Sequence, residues 1–92
     1  MSRRRNWDDP VYKRWRTSVY RRDKFVCQMP GCKSKKQLQA HHIRRWASAA
    51  SLRFDVGNGI TLCRVCHNSI SKHEHNYERL FLEIVRRNSN GK

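Results

Sequence analysis

The sequence lacks any long hydrophobic run, the feature that a transmembrane helix or a secretory signal requires. The basic residues 1–5 are not followed by an apolar stretch, which argues against a signal peptide. Internal repeats are absent too, as is any linker that would divide the chain. We therefore expect a single cytoplasmic domain that does not contact a membrane.

Acidic residues are scarce. Seven Asp and Glu face 21 Lys and Arg, which gives a formal net charge of +14. Such an excess favours a polyanionic partner and predicts nonspecific nucleic-acid binding at low salt. The alternative is a basic, soluble surface with no partner, which is less favoured at this charge density over so few residues. Charge alone indicates neither a target sequence nor a reaction.

The chain is also short, because 92 residues form one small domain at most. We divide it into a basic, flexible N-terminus at residues 1–8, a single domain at residues 9–88 and a frayed tail at residues 89–92. A domain of this size buries too little apolar surface to be stable on packing alone. We therefore expect a further stabilising element.

Four cysteines can supply that element. Cys27 and Cys32 are separated by four residues, and Cys63 and Cys66 by two. In a reducing compartment such pairs are metal thiolates more often than disulfides, and four thiolates are the tetrahedral donor set of structural zinc. The alternative is a set of unpaired or redox-active cysteines. The 30 residues between the pairs are more than an ordinary zinc ribbon has, which suggests a functional insert.

Helical spacing marks both ends of the chain. Asp9 and Pro10 are a typical N-cap and first helical residue. They begin a predicted helix of about three turns whose apolar stripe contains Val11, Tyr12, Trp15 and Val19. Near the other end, Asn76 is a predicted cap for a helix that stops at about Asn88. Its apolar stripe contains Tyr77, Leu80, Phe81, Ile84 and Val85.

The middle of the chain predicts a hairpin followed by a helix. Residues 38–42 alternate with the period of a strand, and residues 60–62 suit its partner. Residues 44–57 form a predicted loop, in which Trp46 to Leu52 could make one or two helical turns. The second cysteine knuckle then leads into a helix at Cys66 and His67.

Three histidines and an asparagine lie in or beside the insert, namely His41, His42, Asn58 and His67. Phosphodiester hydrolysis needs a base that is active near neutral pH and a divalent cation, and imidazole serves as base or as ligand. An asparagine amide can bond the backbone on both sides of a loop. Adjacent strand residues point to opposite faces, so His41 and His42 would need a bend to meet at one site.

These residues together resemble the HNH homing-type nucleases, in particular small phage-borne members with a four-cysteine zinc site. The resemblance covers roughly residues 15–75, and its motifs are specific in combination. The matching segments are Arg22-Asp23, Cys27 with Cys32, His41-His42-Ile43, Leu52-Arg53-Phe54-Asp55, and Asn58-Gly59-Ile60-Thr61-Leu62-Cys63 with Cys66 and His67.

The resemblance implies an α+β fold with a small ββα-metal HNH core, a four-cysteine zinc site and flanking N- and C-terminal helices. It assigns the general base to His42 and the loop-orienting role to Asn58. It assigns a catalytic divalent ion, Mg²⁺, Mn²⁺ or Ni²⁺, to His41 and His67, and implies that the strand ends at the His pair and turns both side chains toward that ion. The implied products carry 5′-phosphate and 3′-hydroxyl ends, and the zinc has no direct part in the reaction.

The expected partner is DNA, with Arg44 and Arg45 as candidate phosphate contacts; alternatively, both arginines simply add to the general positive field. Some family members carry a further metal-binding His where this chain has Ser71. His73 could substitute for it if the helix ends early; the favoured interpretation is that His73 and His75 are surface residues. The competing interpretation is a catalytically inactive, zinc-stabilised nucleic-acid-binding module. The resemblance also raises a phage terminase or another packaging protein as a partner, and hence the cytoplasm of a phage host. The sequence is equally consistent with a monomer and with a weak homodimer.

Overall fold

The computed structural model describes residues 9–44 and 53–90 as a small α+β fold. Arg45, the turn predicted between Trp46 and Leu52, and the terminal residues 1–8 and 91–92 lie outside this part of the chain. The elements in chain order are helix α1 (Pro10–Arg22), strand β1 (Leu38–His42), a 3-10 turn (Val56–Asn58), strand β2 (Gly59–Cys63), helix α2 (Arg64–Ser69), a second 3-10 turn (Glu74–Tyr77) and helix α3 (Glu78–Asn90).

Helix α1 begins where the sequence predicts. The Asp9 carboxylate accepts a hydrogen bond from the Val11 backbone N–H at 2.8 Å, and Pro10 occupies the first turn. The buried stripe consists of Tyr12, Trp15 and Val19. The prediction that Val11 belongs to this stripe is wrong, since its side chain is 40% exposed. One residue corresponds to about 100° of helix rotation, so only one of two adjacent apolar residues can face the sheet centrally.

The predicted hairpin is confirmed. Strands β1 and β2 form a two-stranded antiparallel sheet in which His42 pairs with Gly59, His41 with Ile60 and Leu38 with Cys63. Every residue of β2 is buried. A two-stranded sheet is stable only when its faces are covered, and here helices pack on both faces.

The sheet separates two small apolar clusters. On one face α1 contributes Tyr12, Trp15 and Val19, against which Ala40 and Val56 pack. The cluster on the other face contains Cys27, Ile43, Ile60, Leu62, Cys63, Ile70, Phe81 and Val85. Residues 41 and 42 therefore lie at the boundary between two separate environments.

Helix α3 carries the predicted amphipathic pattern, with Phe81 and Val85 buried. Its boundaries differ from the prediction. Asn76 lies inside the 3-10 turn that precedes the helix, so the α-helix begins at Glu78, and it continues to Asn90. Side-chain capping chemistry is common to 3-10 turns and α-helices, which is why an Asn before an apolar stripe does not fix the first α-helical residue.

A buried carboxylate joins the helices to the sheet. The Asp23 side chain is fully buried and accepts hydrogen bonds from the Arg22 guanidinium, the Thr61 backbone N–H and the Asn88 amide. Arg22 also donates to the carbonyls of Val56 and Gly59. A buried charge is tolerated when it is paired and hydrogen-bonded in this way. In the described residues, no helix is both long and apolar enough to cross a membrane.

Candidate active site and cysteine metal centre

The four cysteines lie together at one end of the hairpin. Their sulfur atoms are all within 4.8 Å of one another, and the Cys32 and Cys63 sulfurs are 3.8 Å apart. In a tetrahedron with zinc–sulfur bonds of about 2.3 Å, sulfurs are separated by about 3.8 Å. The cluster therefore fits a single tetrahedral metal ion, and the predicted pairing of two short-spaced knuckles at one centre is confirmed.

Local structure explains how each pair reaches the centre. In the first knuckle, Cys27 donates its N–H to the Ser34 carbonyl at 2.8 Å, and Cys32 donates to the Met29 carbonyl at 2.9 Å. Gly31 turns the chain with a φ of 86°, a conformation that glycine adopts at little cost. Cys63 ends β2 and Cys66 lies in the first turn of α2.

The thiols of this centre differ in their pKa. A hydrogen bond from the Cys66 backbone N–H, with contributions from the neighbouring thiols, lowers the pKa of Cys63 to about 7. Burial, reinforced by the other thiols, raises the pKa of Cys66, and burial raises the pKa of Cys27. A bound divalent cation stabilises thiolates and so offsets this burial penalty. The donor set is that of a closed structural zinc site.

His41 faces the larger apolar cluster. It is 7% exposed, and its ring contacts the rings of His67 and Phe81 edge-on, at centroid distances of 5.5 and 5.7 Å. His67 reaches this position from α2, on the same side of the sheet. The structure thus brings together the two histidines that were predicted to share an ion.

Glu74 lies close enough to these two imidazoles to interact with them electrostatically. The sequence did not predict this proximity. Hydrogen bonds from the backbone N–H groups of Glu74 itself and of Lys72 hold the pKa of this carboxyl below its usual value. Positive charge on His41 and His67 acts in the same direction, whereas partial burial opposes it. Helix α2 ends at Ser69 and the chain turns at Lys72 with a φ of 73°, and sequence spacing alone does not predict this turn.

His42 occupies the opposite face. Its ring stacks on Trp15 with centroids 4.1 Å apart and planes inclined by 11°. Its Nε2 lies 2.8 Å from the Arg53 carbonyl oxygen. Because a carbonyl only accepts, Nε2 must carry the proton of the neutral imidazole, and the lone pair is then on Nδ1. Trp15 is itself held by a 2.8 Å hydrogen bond from Nε1 to the Asp55 carbonyl.

The resemblance implied that both histidine side chains turn toward one ion. The structure differs, because the two side chains point to opposite faces of the sheet. Strand β1 continues through His42, which still pairs with Gly59, so alternation places the two rings on opposite faces. Gly59 contributes to this arrangement, because a Cβ there would lie 2.6 Å from both Trp15 Cζ2 and Val19 Cγ2. Without that Cβ, α1 can approach the hairpin closely.

Asn58 clamps the segment that follows His42. Its side-chain oxygen accepts the Arg44 backbone N–H at 2.9 Å, and its amide donates to the Arg44 carbonyl at 3.3 Å. Its own carbonyl accepts the Ile43 N–H at 2.8 Å. A buried amide in this position joins two parts of the chain, as its chemistry predicts.

The remaining predicted residues lie at the surface or outside the described chain. The exposed Arg44 lines a shallow cavity of about 330 Å³ with Arg79, Arg86 and two glutamates of α3. His73 and His75 are exposed. Within residues 9–44 and 53–90, the cysteines alone form a set of three or more His, Cys, Asp or Glu ligand atoms within 4.8 Å of one another.

Comparison with known protein families identifies a match in the middle of the chain. A sequence model of the HNH endonuclease family matches residues 26–73, just over half of the chain. The matched range includes both cysteine pairs, the hairpin, Asn58 and His67. No curated protein and no solved structure matches the chain significantly.

Proposed function

Since this chain belongs to the HNH endonuclease family, we propose that it is a metal-dependent DNA endonuclease that hydrolyses phosphodiester bonds. The observation that carries the proposal is the environment of His42. A stacked ring whose Nε2 donates to the Arg53 carbonyl is fixed in orientation and tautomer. In its neutral form, an imidazole fixed in this way has a lone pair on its second nitrogen and the properties of a general base.

In this proposal His42 removes a proton from the attacking water. The resulting hydroxide forms a bond to phosphorus as the bond to the 3′-oxygen breaks. The departing 3′-oxygen takes up a proton from solvent water and His42 returns its proton to solvent, which leaves a 5′-phosphate and a 3′-hydroxyl. The scissile phosphate would lie across the end of β1, with the His41 imidazole on one face of the strand and the His42 imidazole on the other. Trp15 acts as a positioning residue that keeps the base from rotating.

His41 and His67 are the proposed ligands of the catalytic ion, and Glu74 adds negative charge on the same side. Two imidazoles suit Mn²⁺ or Ni²⁺, and water would supply the further ligands that these ions or Mg²⁺ require. A divalent ion held there would supply positive charge to the scissile phosphate and to the departing oxygen.

Asn58 and Arg44 would support these groups in different ways. Through its two bonds to the Arg44 backbone, Asn58 would keep the segment after His42 in place. The exposed Arg44 side chain would contact a flanking phosphate, which positions DNA without reading its sequence. A protein of this size has little surface for base readout, so weak specificity, or specificity supplied by a partner, is expected.

The proposal is tested on supercoiled plasmid with zinc-loaded protein, without added divalent ion and then with Mg²⁺, Mn²⁺ or Ni²⁺. The expected result is metal-dependent conversion to open-circle or linear DNA, and its loss in the His42→Ala variant. The open-circle and linear bands also distinguish nicking from double-strand cleavage. Retarded plasmid with no conversion under any ion would refute catalysis and would favour a zinc-stabilised nucleic-acid-binding module.

A further inference from the structure

A cavity between two helix ends suggests a second DNA contact away from the histidines. It has a volume of about 930 Å³ and lies between the C-terminal ends of α1 and α3, beside Val56. Its lining contains four cationic residues, Arg21, Arg22, Lys24 and Arg87, and a single carboxylate, Asp23. The histidine, asparagine and cysteine residues of the two sites above do not line it.

The single carboxylate does not neutralise the other cations. Asp23 is fully buried in a two-bond contact with Arg22, which fixes one positive and one negative charge against each other. Arg21, Lys24 and Arg87 are exposed. The two ion pairs found within the described residues are Arg22–Asp23 and Arg86–Glu83, so neither includes these three cations.

Helix dipoles reduce this charge without reversing it. Each helix C-terminus carries about half a negative charge, so two such ends leave the three cations in excess. The cavity beside Arg44 differs, because its three arginines face two glutamates and one of those arginines is paired. Of these two cavities, the α1–α3 cavity therefore has the larger positive excess.

The backbone fixes one of the cations at the rim. Lys24 and Phe25 have φ angles of 59° and 57°, which are unfavourable for residues other than glycine. Hydrogen bonds from Lys24 N–H to the Arg21 carbonyl and from Phe25 N–H to the Tyr20 carbonyl hold this turn. Lys24 is therefore presented by an ordered turn over the buried Asp23 network.

We propose that the cavity between the C-terminal ends of α1 and α3 binds backbone phosphates of DNA through Arg21, Lys24 and Arg87. The contact rests on the proposed action on DNA and extends it, since it is separate from the cleavage site and independent of a divalent ion. It positions the duplex and reads no bases, because arginine and lysine side chains recognise phosphate by charge and hydrogen bonding.

The test is DNA binding by fluorescence anisotropy with zinc-loaded protein, a short labelled duplex and no added divalent ion. The His42→Ala background prevents cleavage. The variant replaces Arg21, Lys24 and Arg87 with Gln, and the control replaces Lys33, Lys35 and Lys36, which are also exposed, with Gln. Both remove three positive charges. Thermal unfolding of both is measured as well, because cations in the last turn also stabilise helices.

The cavity variant is expected to lose at least about tenfold in affinity, and the slope of log affinity against log salt should fall by about 0.9 for each lost phosphate contact. The control should lose clearly less. Equal losses in the two variants would show dependence on net charge alone, and full affinity in the cavity variant would show no contact; either result overturns the proposal.

Two further experiments distinguish DNA from free phosphate as the ligand, and DNA binding at the cavity from DNA cleavage. Duplex DNA should shift the amide resonances of Arg21, Lys24 and Arg87, whereas shifts with inorganic phosphate and none with duplex would overturn a DNA contact. Plasmid cleavage is measured separately on the protein with His42. A protein that binds through the cavity and cuts no DNA would refute the nuclease proposal and leave this inference intact.

Discussion

At the scale of single residues, His41 and His42 acquire different chemistry from their surroundings. His41 contacts a second imidazole within an apolar cluster, whereas His42 stacks on an indole and bonds to a carbonyl. A ligand needs a partner donor nearby, and a base needs a fixed orientation. The two environments therefore match the two proposed roles.

Asn58→Ala tests the clamp on the segment after His42. The change removes both hydrogen bonds to the Arg44 backbone, which should lower the free energy of unfolding by about 2 kcal/mol. Displacement of His42 should slow cleavage by about 10- to 100-fold even in fully folded protein. Chemical denaturation and single-turnover cleavage measure the two effects.

Tyr20→Phe is the matched control. The Tyr20 hydroxyl donates to the Leu38 carbonyl at 3.0 Å, at the other end of β1 from His42. Its loss should cost about 1 kcal/mol of stability and leave the cleavage rate unchanged below the melting temperature. Wild-type cleavage by the Asn58→Ala variant would contradict the positioning role.

The sequence predicts the residues of this site better than their arrangement. His41, His42, Asn58 and His67 are recognised because an imidazole pair and a distant asparagine are uncommon together near cysteine knuckles. Strand alternation correctly predicted opposite faces for His41 and His42, whereas the turn of both side chains toward one ion, which the resemblance implied, is not seen. Trp15 looked like an ordinary core residue and Glu74 like a loop residue, since their contacts arise only when α1 and the 3-10 turn pack.

At the scale of elements, the close approach of α1 to the hairpin sets the position of His42. Trp15 and Val19 occupy the space that a side chain at Gly59 would need. The backbone of Gly59 is extended, with a φ of −121°, so the requirement for glycine is one of space. The helix, the small residue and the stacked histidine form one packed unit.

Gly59→Ala should therefore displace α1. Its Cβ would lie 2.6 Å from the Trp15 and Val19 side chains, and such overpacking costs about 1–3 kcal/mol. Cleavage should slow as well, because Trp15 moves with its helix. Gly57→Ala is the control, since its nearest neighbour is the terminal oxygen of the exposed Asp55 side chain. Equal melting temperatures of the two variants would contradict this account of α1 packing.

The elements themselves follow well from the sequence. Asp9 and Pro10 mark the start of α1, alternation marks β1, and the spacing of Phe81 and Val85 marks α3. Boundaries are less predictable, because a 3-10 turn and an α-helix share capping signals. This ambiguity explains why the sequence places the start of α3 at Asn76, whereas the helix begins at Glu78.

At the scale of the whole molecule, two small clusters share one thin sheet, and the cysteine centre joins the first knuckle to β2 and α2. Neither cluster is large enough to stabilise a domain by itself. Metal binding in such a case contributes much of the folding free energy. The cysteine pattern correctly predicted that the four sulfurs lie together, because ligand spacing is local in sequence.

Removal of the structural metal should unfold the protein. We expect one equivalent of zinc by elemental analysis, and loss of the cooperative thermal transition after treatment with a strong chelator, restored by added zinc. The His67→Ala variant should retain that equivalent, because the cysteine centre is complete without it. An unchanged melting temperature after verified zinc removal would contradict a stabilising role.

His42 and His67 have separate proposed roles, His42 as the general base and His67 as a ligand of the catalytic ion. The most direct test is the single-turnover cleavage rate as a function of divalent-ion concentration for the wild type, His42→Ala and His67→Ala. His42→Ala should lower the maximal rate by about 10²–10⁴-fold with an unchanged half-saturating ion concentration. His67→Ala should raise that concentration by about 10- to 100-fold. Wild-type rates for His42→Ala, or the reverse pattern in the two variants, would contradict the account.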